Sequence, residues 1–245
     1  RTRFKIKKFI IMNISNLLTT GSKILKINNI KTNDLDAELI LAELLGDQRE
    51  SLLINSEKKV SREIVNNFNK LITRRSKKEP IAYILNKREF WSKNFFVNRN
   101  VLIPRPETEL LCEQIVKIFK NKSFNFLDIG TGTGCVLLSI LIEIKNARGI
   151  GLDISKKALE VAKKNANQLN LNSRAKFLIR SLDDLYGYKF DLVVSNPPYI
   201  KSIEIKNLQE DVRKFEPKIA LDGGKEGLDV IKKVIYKSKI ILKKL

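Results

Sequence analysis

Phe126-Leu127-Asp128-Ile129-Gly130-Thr131-Gly132-Thr133-Gly134 is the stretch on which the fold turns. An apolar run reads as a buried strand, and it enters a loop with glycine at every second place. Cys135 to Ile144 then reads as an apolar helix. Glycine lets the backbone turn tightly and approach a ligand closely, and a helix start offers unpaired N–H groups. Arg148-Gly149-Ile150-Gly151-Leu152-Asp153 follows as a second strand ending in an acid. Asp153 stands about twenty residues past the loop, the spacing at which a carboxylate meets a ribose hydroxyl. Loop and acid together indicate an adenosine-containing cofactor held by Gly130, Thr131, Gly132, Thr133, Gly134 and Asp153. They do not choose between a nicotinamide and S-adenosylmethionine. The dinucleotide fingerprint is not matched, because its last glycine falls on Cys135 counted from Gly130 and on Leu137 counted from Gly132.

Further along, Phe190 to Val194 is another candidate strand, and Asn196-Pro197-Pro198-Tyr199 closes it. Two consecutive prolines offer no N–H to a ladder and stiffen the loop they form. Open α/β sheets place ligands at such strand ends. The loop carries an amide, free carbonyls and an aromatic ring. That set suits a planar group with an NH₂, whose two hydrogens Asn196 Oδ1 and a proline carbonyl accept while Tyr199 covers its face. A turn that only ends the strand is the plain alternative.

Composition narrows the chemistry. The chain has 245 residues and 43% hydrophobic content, enough for a sizeable core, and no apolar run approaches the length of a membrane span. It contains no histidine, which removes Ser-His-Asp and Cys-His catalysis and the usual zinc sites. Cys112 and Cys135 show neither disulfide nor metal-ligand spacing and read as small buried hydrophobes of a reducing cytosol, so no metal is expected. Lys and Arg number 47 against 27 Asp and Glu, a net charge of +20. Such an excess favours an acidic partner, but the lysines are spread among Ile and Asn along most segments, as in AT-rich coding sequences. With no arginine patch interleaved with aromatics, charge does not assign a nucleic-acid substrate.

Residues 1–11 are basic, precede the single methionine, Met12, and read as an upstream extension. Residues 12–85 form a small all-α domain. Met12 to Ile27 is one helix. Asp36 to Leu45 is another, with Leu35, Leu39, Ala42 and Leu45 on one face, Asp34 as cap and Gly46 as stop. Ser61 to Arg75 is the third, capped by Ser61, with Ile64, Val65, Phe68, Leu71 and Ile72 inward. Residues 86–104 alternate as a β-hairpin connector, from Glu89-Phe90-Trp91 through Phe95-Phe96-Val97 to Val101-Leu102-Ile103, with Trp91 in the core. Residues 105–245 alternate strand and helix: strands at 124–129, 148–153, 175–180 and 190–195, helices at 135–144, 156–169 and 227–241. The last helix is read with Leu228, Ile231, Val234, Ile235 and Ile241 inward. Such alternation gives an α/β fold with a parallel sheet covered on both faces.

These blocks together resemble a class I, Rossmann-like S-adenosylmethionine-dependent methyltransferase. Leu102-Ile103-Pro104-Arg105-Pro106-Glu107-Thr108-Glu109, Asp211 to Pro217 and Ala220 to Asp229 sharpen the resemblance. They look like the protein-(glutamine-N5) methyltransferases of peptide-chain release factors, the HemK/PrmC family. The resemblance runs from about Asp36 to the end of the chain. It implies S-adenosylmethionine as methyl donor and a release factor's Gly-Gly-Gln glutamine as acceptor. It implies that Asn196 and Pro197 take the amide N–H groups, with Pro198 and Tyr199 completing the catalytic loop and Asn196 also near the cofactor. Arg105 and Glu107 would line the substrate entrance and Asp183 would meet the adenine. The helical domain would help to hold the protein substrate. The protein is expected in the cytoplasm, as a monomer, off the membrane and without need of nucleic acid. Against the family pattern, the chain is expected to be truncated at its carboxyl end, with the last strands of the fold missing. The competing reading is a nucleic-acid methyltransferase acting on adenine N6 or guanine N2, which the same loop chemistry would serve.

Overall fold

The computed structural model describes residues 12–244; the basic stretch 1–11 lies outside them. Two compact units meet between Leu85 and Asn86 in the chain.

In the first unit, α1 (Ile14–Ile27), α2 (Asn33–Leu45), α3 (Arg49–Ile54), α4 (Arg62–Ser76) and α5 (Ile81–Leu85) surround one apolar core. Leu17, Leu25, Ile40, Leu41, Phe68 and Ile72 are fully buried in it. The caps follow from short polar side chains. Asn13 accepts from the Asn16 N–H at 2.8 Å, and Ser61 accepts from Ile64 at 3.3 Å. Gly46 takes the left-handed conformation that ends α2, with φ 64°. The expected face of α2 is corrected. Ala37, Ile40, Leu41 and Ala42 are buried, whereas Leu35 is exposed and Leu39 and Leu45 are only half-buried. This helix is apolar nearly all round, so its sequence does not mark one stripe. A buried ion pair sets its rotation, with Arg75 Nε donating to Asp36 Oδ2 at 2.6 Å and Thr32 Oγ1 donating to the same oxygen at 2.8 Å. Asp34 is no cap; it lies inside the first turn and accepts from Ser22 Oγ.

The second unit opens with a hairpin, β1 (Lys87–Phe90) and β2 (Lys93–Phe96), turning through Trp91 and Ser92 at φ 52° and 53°. Trp91 thus sits in the turn, half-buried, with Nε1 donating to Glu143 at 2.8 Å. Phe90 and Phe95 are buried in this unit's own core, so the hairpin is part of that core rather than a free-standing connector. Val101 and Ile103 are buried but form no strand. There follow α6 (Glu109–Phe119), β3 (Asn125–Ile129), α7 (Cys135–Glu143), β4 (Arg148–Asp153), α8 (Lys156–Gln168), β5 (Ala175–Ile179), β6 (Leu192–Ser195), α9 (Glu210–Phe215) and α10 (Asp229–Ile241).

The sheet runs β5-β4-β3-β6, all parallel. Successive residues of β3 point to opposite faces: Phe126 enters the core under α6 and α7, and Leu127 the core that holds Leu185 and Ile241. The chain adds β4 and β5 on one side of β3, then returns to place β6 on the other. That reversal opens a crevice at the carboxyl ends of β3 and β6, where α/β sheets bind ligands. Beyond β6, Leu242 makes a parallel bridge with Phe190, which itself lies just outside the strand.

The inward face of α10 is also corrected. Ile241 is buried and Ile231 and Val234 half-buried, but Leu228 and Ile235 are exposed. A lysine takes an inward place instead: Lys237 is buried, its Nζ donating to the Asp183 carbonyl at 3.0 Å and lying 4.2 Å from the Tyr186 ring. The long aliphatic stem packs while the charge finds a carbonyl and a ring face.

Candidate active site

The glycine loop leaves β3 at Ile129. Gly130, Gly132 and Gly134 have φ of 71°, 55° and 78°, a region closed at little cost only to glycine. The Gly130 and Thr131 N–H groups both donate to the Leu152 carbonyl, at 2.8 and 3.0 Å, and so tie the loop to β4. Gly132 N–H donates to Asp153 Oδ2 at 3.0 Å, and Ser155 N–H to Asp153 Oδ1 at 2.9 Å. Each Asp153 oxygen keeps a lone pair for a further donor. Burial raises this carboxyl above its ordinary range, against the pull of those backbone N–H groups.

The two threonines turn the other way. Thr131 Oγ1 donates at 2.7 Å to Asp128, a carboxyl buried beneath the loop and pushed up to about 7 by that burial. Thr133 Oγ1 accepts from the Cys135 N–H at 3.2 Å at the start of α7. Gly134 packs against Leu138 and Ala162. Thr131, Thr133 and Gly134 therefore shape the loop and do not line the cavity above it, whereas Gly130, Gly132 and Asp153 do. Asn165, unread in the sequence, braces the loop from α8. Its Nδ2 donates to the Thr133 carbonyl at 2.9 Å and to the Phe96 carbonyl at 3.0 Å, and its Oδ1 accepts from Phe96 N–H at 2.7 Å.

That cavity measures about 840 Å³. Its wall includes Ile154 and Leu182, apolar flanks suited to a flat heterocycle, and the acids Asp153 and Asp183. Asp183 lines it and Asp184 does not. The Asp183 carboxylate stands 3.9 Å from Lys233 Nζ and is exposed. A side chain added at Gly130 or Gly132 would project into open space, so the loop backbone is free for a ligand to lie against. Volume, apolar walls and acids all fit an adenosine group bound across the loop.

At the end of β6, Ser195 Oγ donates to the Ile129 carbonyl at 2.8 Å and fixes the Asn196–Tyr199 loop beside the glycine loop. The segment 221–227 lies flush on its back. Ile200 N–H donates to the Leu221 carbonyl at 3.1 Å and Gly223 N–H to the Ile200 carbonyl at 2.8 Å. A methyl at Gly223 would come within 2.8 Å of the Pro198 carbonyl, and one at Gly227 within 2.5 Å of the Tyr199 carbonyl. Gly223 and Gly227 of the Ala220–Asp229 block are thus there so that one backbone can rest on another.

A second cavity of about 510 Å³ opens on the far side of this loop, lined by Pro197, Tyr199, Arg105, Glu107, Thr108 and Leu111 among others. The two cavities share Leu102, Asn196, Pro198 and Ala220. Asn196 and Tyr199 are exposed, the tyrosine ring at the rim. Arg105 both lines the cavity and is tied down. Its Nη2 donates to Glu216 Oε1 at 2.6 Å, and Glu216 Oε2 accepts from Ile103 N–H at 3.1 Å. Burial raises the Glu216 carboxyl and the Arg105 charge opposes the rise. Glu107 is exposed at the cavity wall; Glu109 instead accepts from Trp91 N–H at 2.9 Å and anchors the hairpin. The roles of Thr108 and Glu216 were not read in the sequence, although both lie in blocks that the family resemblance singles out. No group of three or more metal-ligating side chains occurs among the described residues, and both cysteines are buried and free, their thiols raised by burial.

Residues 16–85 match the family model of the PrmC N-terminal domain, and residues 120–242 that of a methyltransferase domain. The chain is 40% identical over 212 residues to the release factor glutamine methyltransferase of Caulobacter vibrioides, covering 86% of this chain and 73% of that protein. It is 38% identical over 238 residues to that of Clostridium acetobutylicum, covering 95% and 83%. Among solved structures, the hMettl16 catalytic domain in complex with MAT2A 3'UTR hairpin 1 shares the fold, with a TM-score of 0.51 and 20% identity over 71% of this chain and 64% of that one.

Proposed function

The chain belongs to the release factor glutamine methyltransferase family, and from that premise we propose that it methylates the side-chain amide nitrogen of the glutamine in a release factor's Gly-Gly-Gln motif, with S-adenosylmethionine as donor. The observation that carries this reading is the meeting of two cavities at Asn196 and Pro198. One has the glycine loop and Asp153; the other has the proline carbonyls, Tyr199 and Arg105. A donor in the first and an acceptor in the second would face each other across the catalytic loop.

Gly130 and Gly132 would hold the cofactor through their backbone, Asp153 through the ribose hydroxyls and Asp183 at the adenine. Bound there, the cofactor supplies a methyl on a sulfonium, already electrophilic and in need of no metal. The difficulty is the acceptor, since an amide nitrogen shares its lone pair with the carbonyl. Asn196 Oδ1 and the Pro197 carbonyl accept the amide's two N–H groups, which aims the nitrogen and favours the positive charge that develops on it. Tyr199 lies against the amide plane and Pro198 keeps the loop stiff. The nitrogen would gain the methyl as the carbon–sulfur bond breaks and the sulfonium leaves as a neutral thioether, and would then release one proton to solvent, so no strong base is required, in keeping with a chain that has no histidine.

The relatives' names support an amide acceptor over a nucleic-acid amine. No described helix is long and apolar enough to cross a membrane, and a cytoplasmic site of action fits a release factor as partner. Incubating the chain with S-adenosylmethionine and a folded release factor should add one methyl at the Gly-Gly-Gln glutamine, located by mass spectrometry. A methylated nucleic acid beside an unmodified release factor would overturn the reading.

A further inference from the structure

We propose that Thr108 is a positioning residue that fixes the Asn196 carboxamide with its oxygen free for the substrate, a role that rests on the reading of Asn196 given above. A carboxamide has two ends of the same shape and opposite hydrogen-bonding sense. Only the oxygen end can take an N–H from an acceptor amide; the NH₂ end would oppose it. Asn196 is exposed where the two cavities meet, so packing does not hold its terminal torsion. One contact does: Asn196 Nδ2 donates to Thr108 Oγ1 at 3.2 Å. With the NH₂ end occupied, the plane of the amide is set and Oδ1 is left for a ligand.

Thr108 is itself held firmly. It closes the 3-10 turn Pro106–Thr108, its N–H donating to the Arg105 carbonyl at 3.0 Å. Arg105 in turn is clamped by Glu216, whose side chain is 1% exposed and which also takes the Ile103 N–H. A buried carboxylate, a guanidinium and a proline turn thus support one hydroxyl. Thr108 lines the cavity of Arg105 and Tyr199 and not that of the glycine loop. Its loss should therefore separate catalysis from cofactor binding. A hydroxyl can also donate, so an aspartate at position 196 would keep the anchor.

Thr108→Val removes the hydroxyl with little change of shape, Thr108→Ala is a second removal, and Thr108→Ser restores it. Single-turnover methylation of a release factor, S-adenosylmethionine affinity by calorimetry, and the Asn196 side-chain amide signals in ¹⁵N spectra, assigned by their loss in Asn196→Asp, are measured together. Val and Ala should slow methyl transfer about tenfold or more with cofactor affinity unchanged, and Ser should bring most of the rate back. The Asn196 amide protons should shift and exchange faster with water in Val and Ala only. A wild-type rate in both removals, or a slowed rate with the Asn196 signals unmoved, would overturn the role. Should the unaltered chain methylate no glutamine, the functional reading falls, and the Asn196 signals alone then decide Thr108: moved in Val and Ala, they uphold it; unmoved, they overturn it.

Discussion

Gly132 and Asp153 are joined by one hydrogen bond, and each fails differently when replaced. At Gly132 the φ of 55° is strained for any other residue, and a side chain there would project into the cavity proposed for the cofactor. Gly132→Val should therefore abolish measurable S-adenosylmethionine binding. Asp153→Ala should weaken it roughly tenfold, the scale of hydrogen bonds to a charged group. Titration calorimetry checks both, and unchanged affinity in both would remove the cofactor assignment. Beneath them, Asp128 makes a separate prediction. Its carboxyl is raised from 3.8 to about 7 by burial. Between those values the folded chain keeps a proton that the unfolded chain has lost. The stability this group contributes is full below about pH 4 and is lost as pH rises through 7. Asn at this position still accepts from Thr131 but does not titrate. Melting temperatures of Asp128→Asn should fall less between pH 5 and 8 than those of the unaltered chain; an equal fall would contradict the account.

At the scale of elements, the parallel strands were legible as apolar runs, and β3, β4 and β6 end at Gly130, Asp153 and Asn196-Pro197, whereas β5 runs on into Arg180-Ser181 with no such stop. Faces were less legible. The rotation of α2 depends on Arg75, 39 residues from its partner Asp36, and the inward lysine of α10 depends on Tyr186 and Asp183. Nothing local announces either contact. The short α3, α5 and α9 carry too few residues to show a period, and α6 was not read as a helix. Within the candidate site, loop ends and acids could be read, but Thr108, Asn165 and the support under Asn196 come from chain-distant pairing. The glycines of the 221–227 segment give an element-scale test. Gly187 and Gly227 have nearly the same φ, 75° and 74°, but a methyl at Gly187 meets nothing within 4 Å, while one at Gly227 meets the Tyr199 carbonyl at 2.5 Å. Gly187→Ala should cost only the conformational penalty of about 1 kcal/mol. Gly227→Ala should cost a further 1–3 kcal/mol or so from overpacking and should slow methyl transfer. Denaturation midpoints that shift equally would show that the segment does not bear on the catalytic loop.

For the whole molecule, the two units have separate cores. Phe68 is fully buried in the first unit, its ring close enough to α1 that a methyl at Gly21 would come within 2.6 Å. Phe68→Ala should destabilise that unit by about 3–5 kcal/mol, while S-adenosylmethionine affinity stays as it was, because every residue lining the cavity proposed for the cofactor lies in the second unit. Unfolding curves and calorimetry on one preparation test this, and loss of cofactor binding would contradict it. Where the two cavities meet, Asn196 is proposed to aim a glutamine nitrogen at a bound methyl donor. The most direct test is the single-turnover rate of release-factor methylation by the unaltered chain, Asn196→Asp and Asn196→Ala, each saturated with S-adenosylmethionine. Loss of an oriented hydrogen-bonding group at a reacting centre predicts a fall of about a hundredfold or more for Ala, with partial activity for Asp and cofactor affinity changing far less. Equal rates for the unaltered chain and Asn196→Ala would mean that the loop only ends a strand.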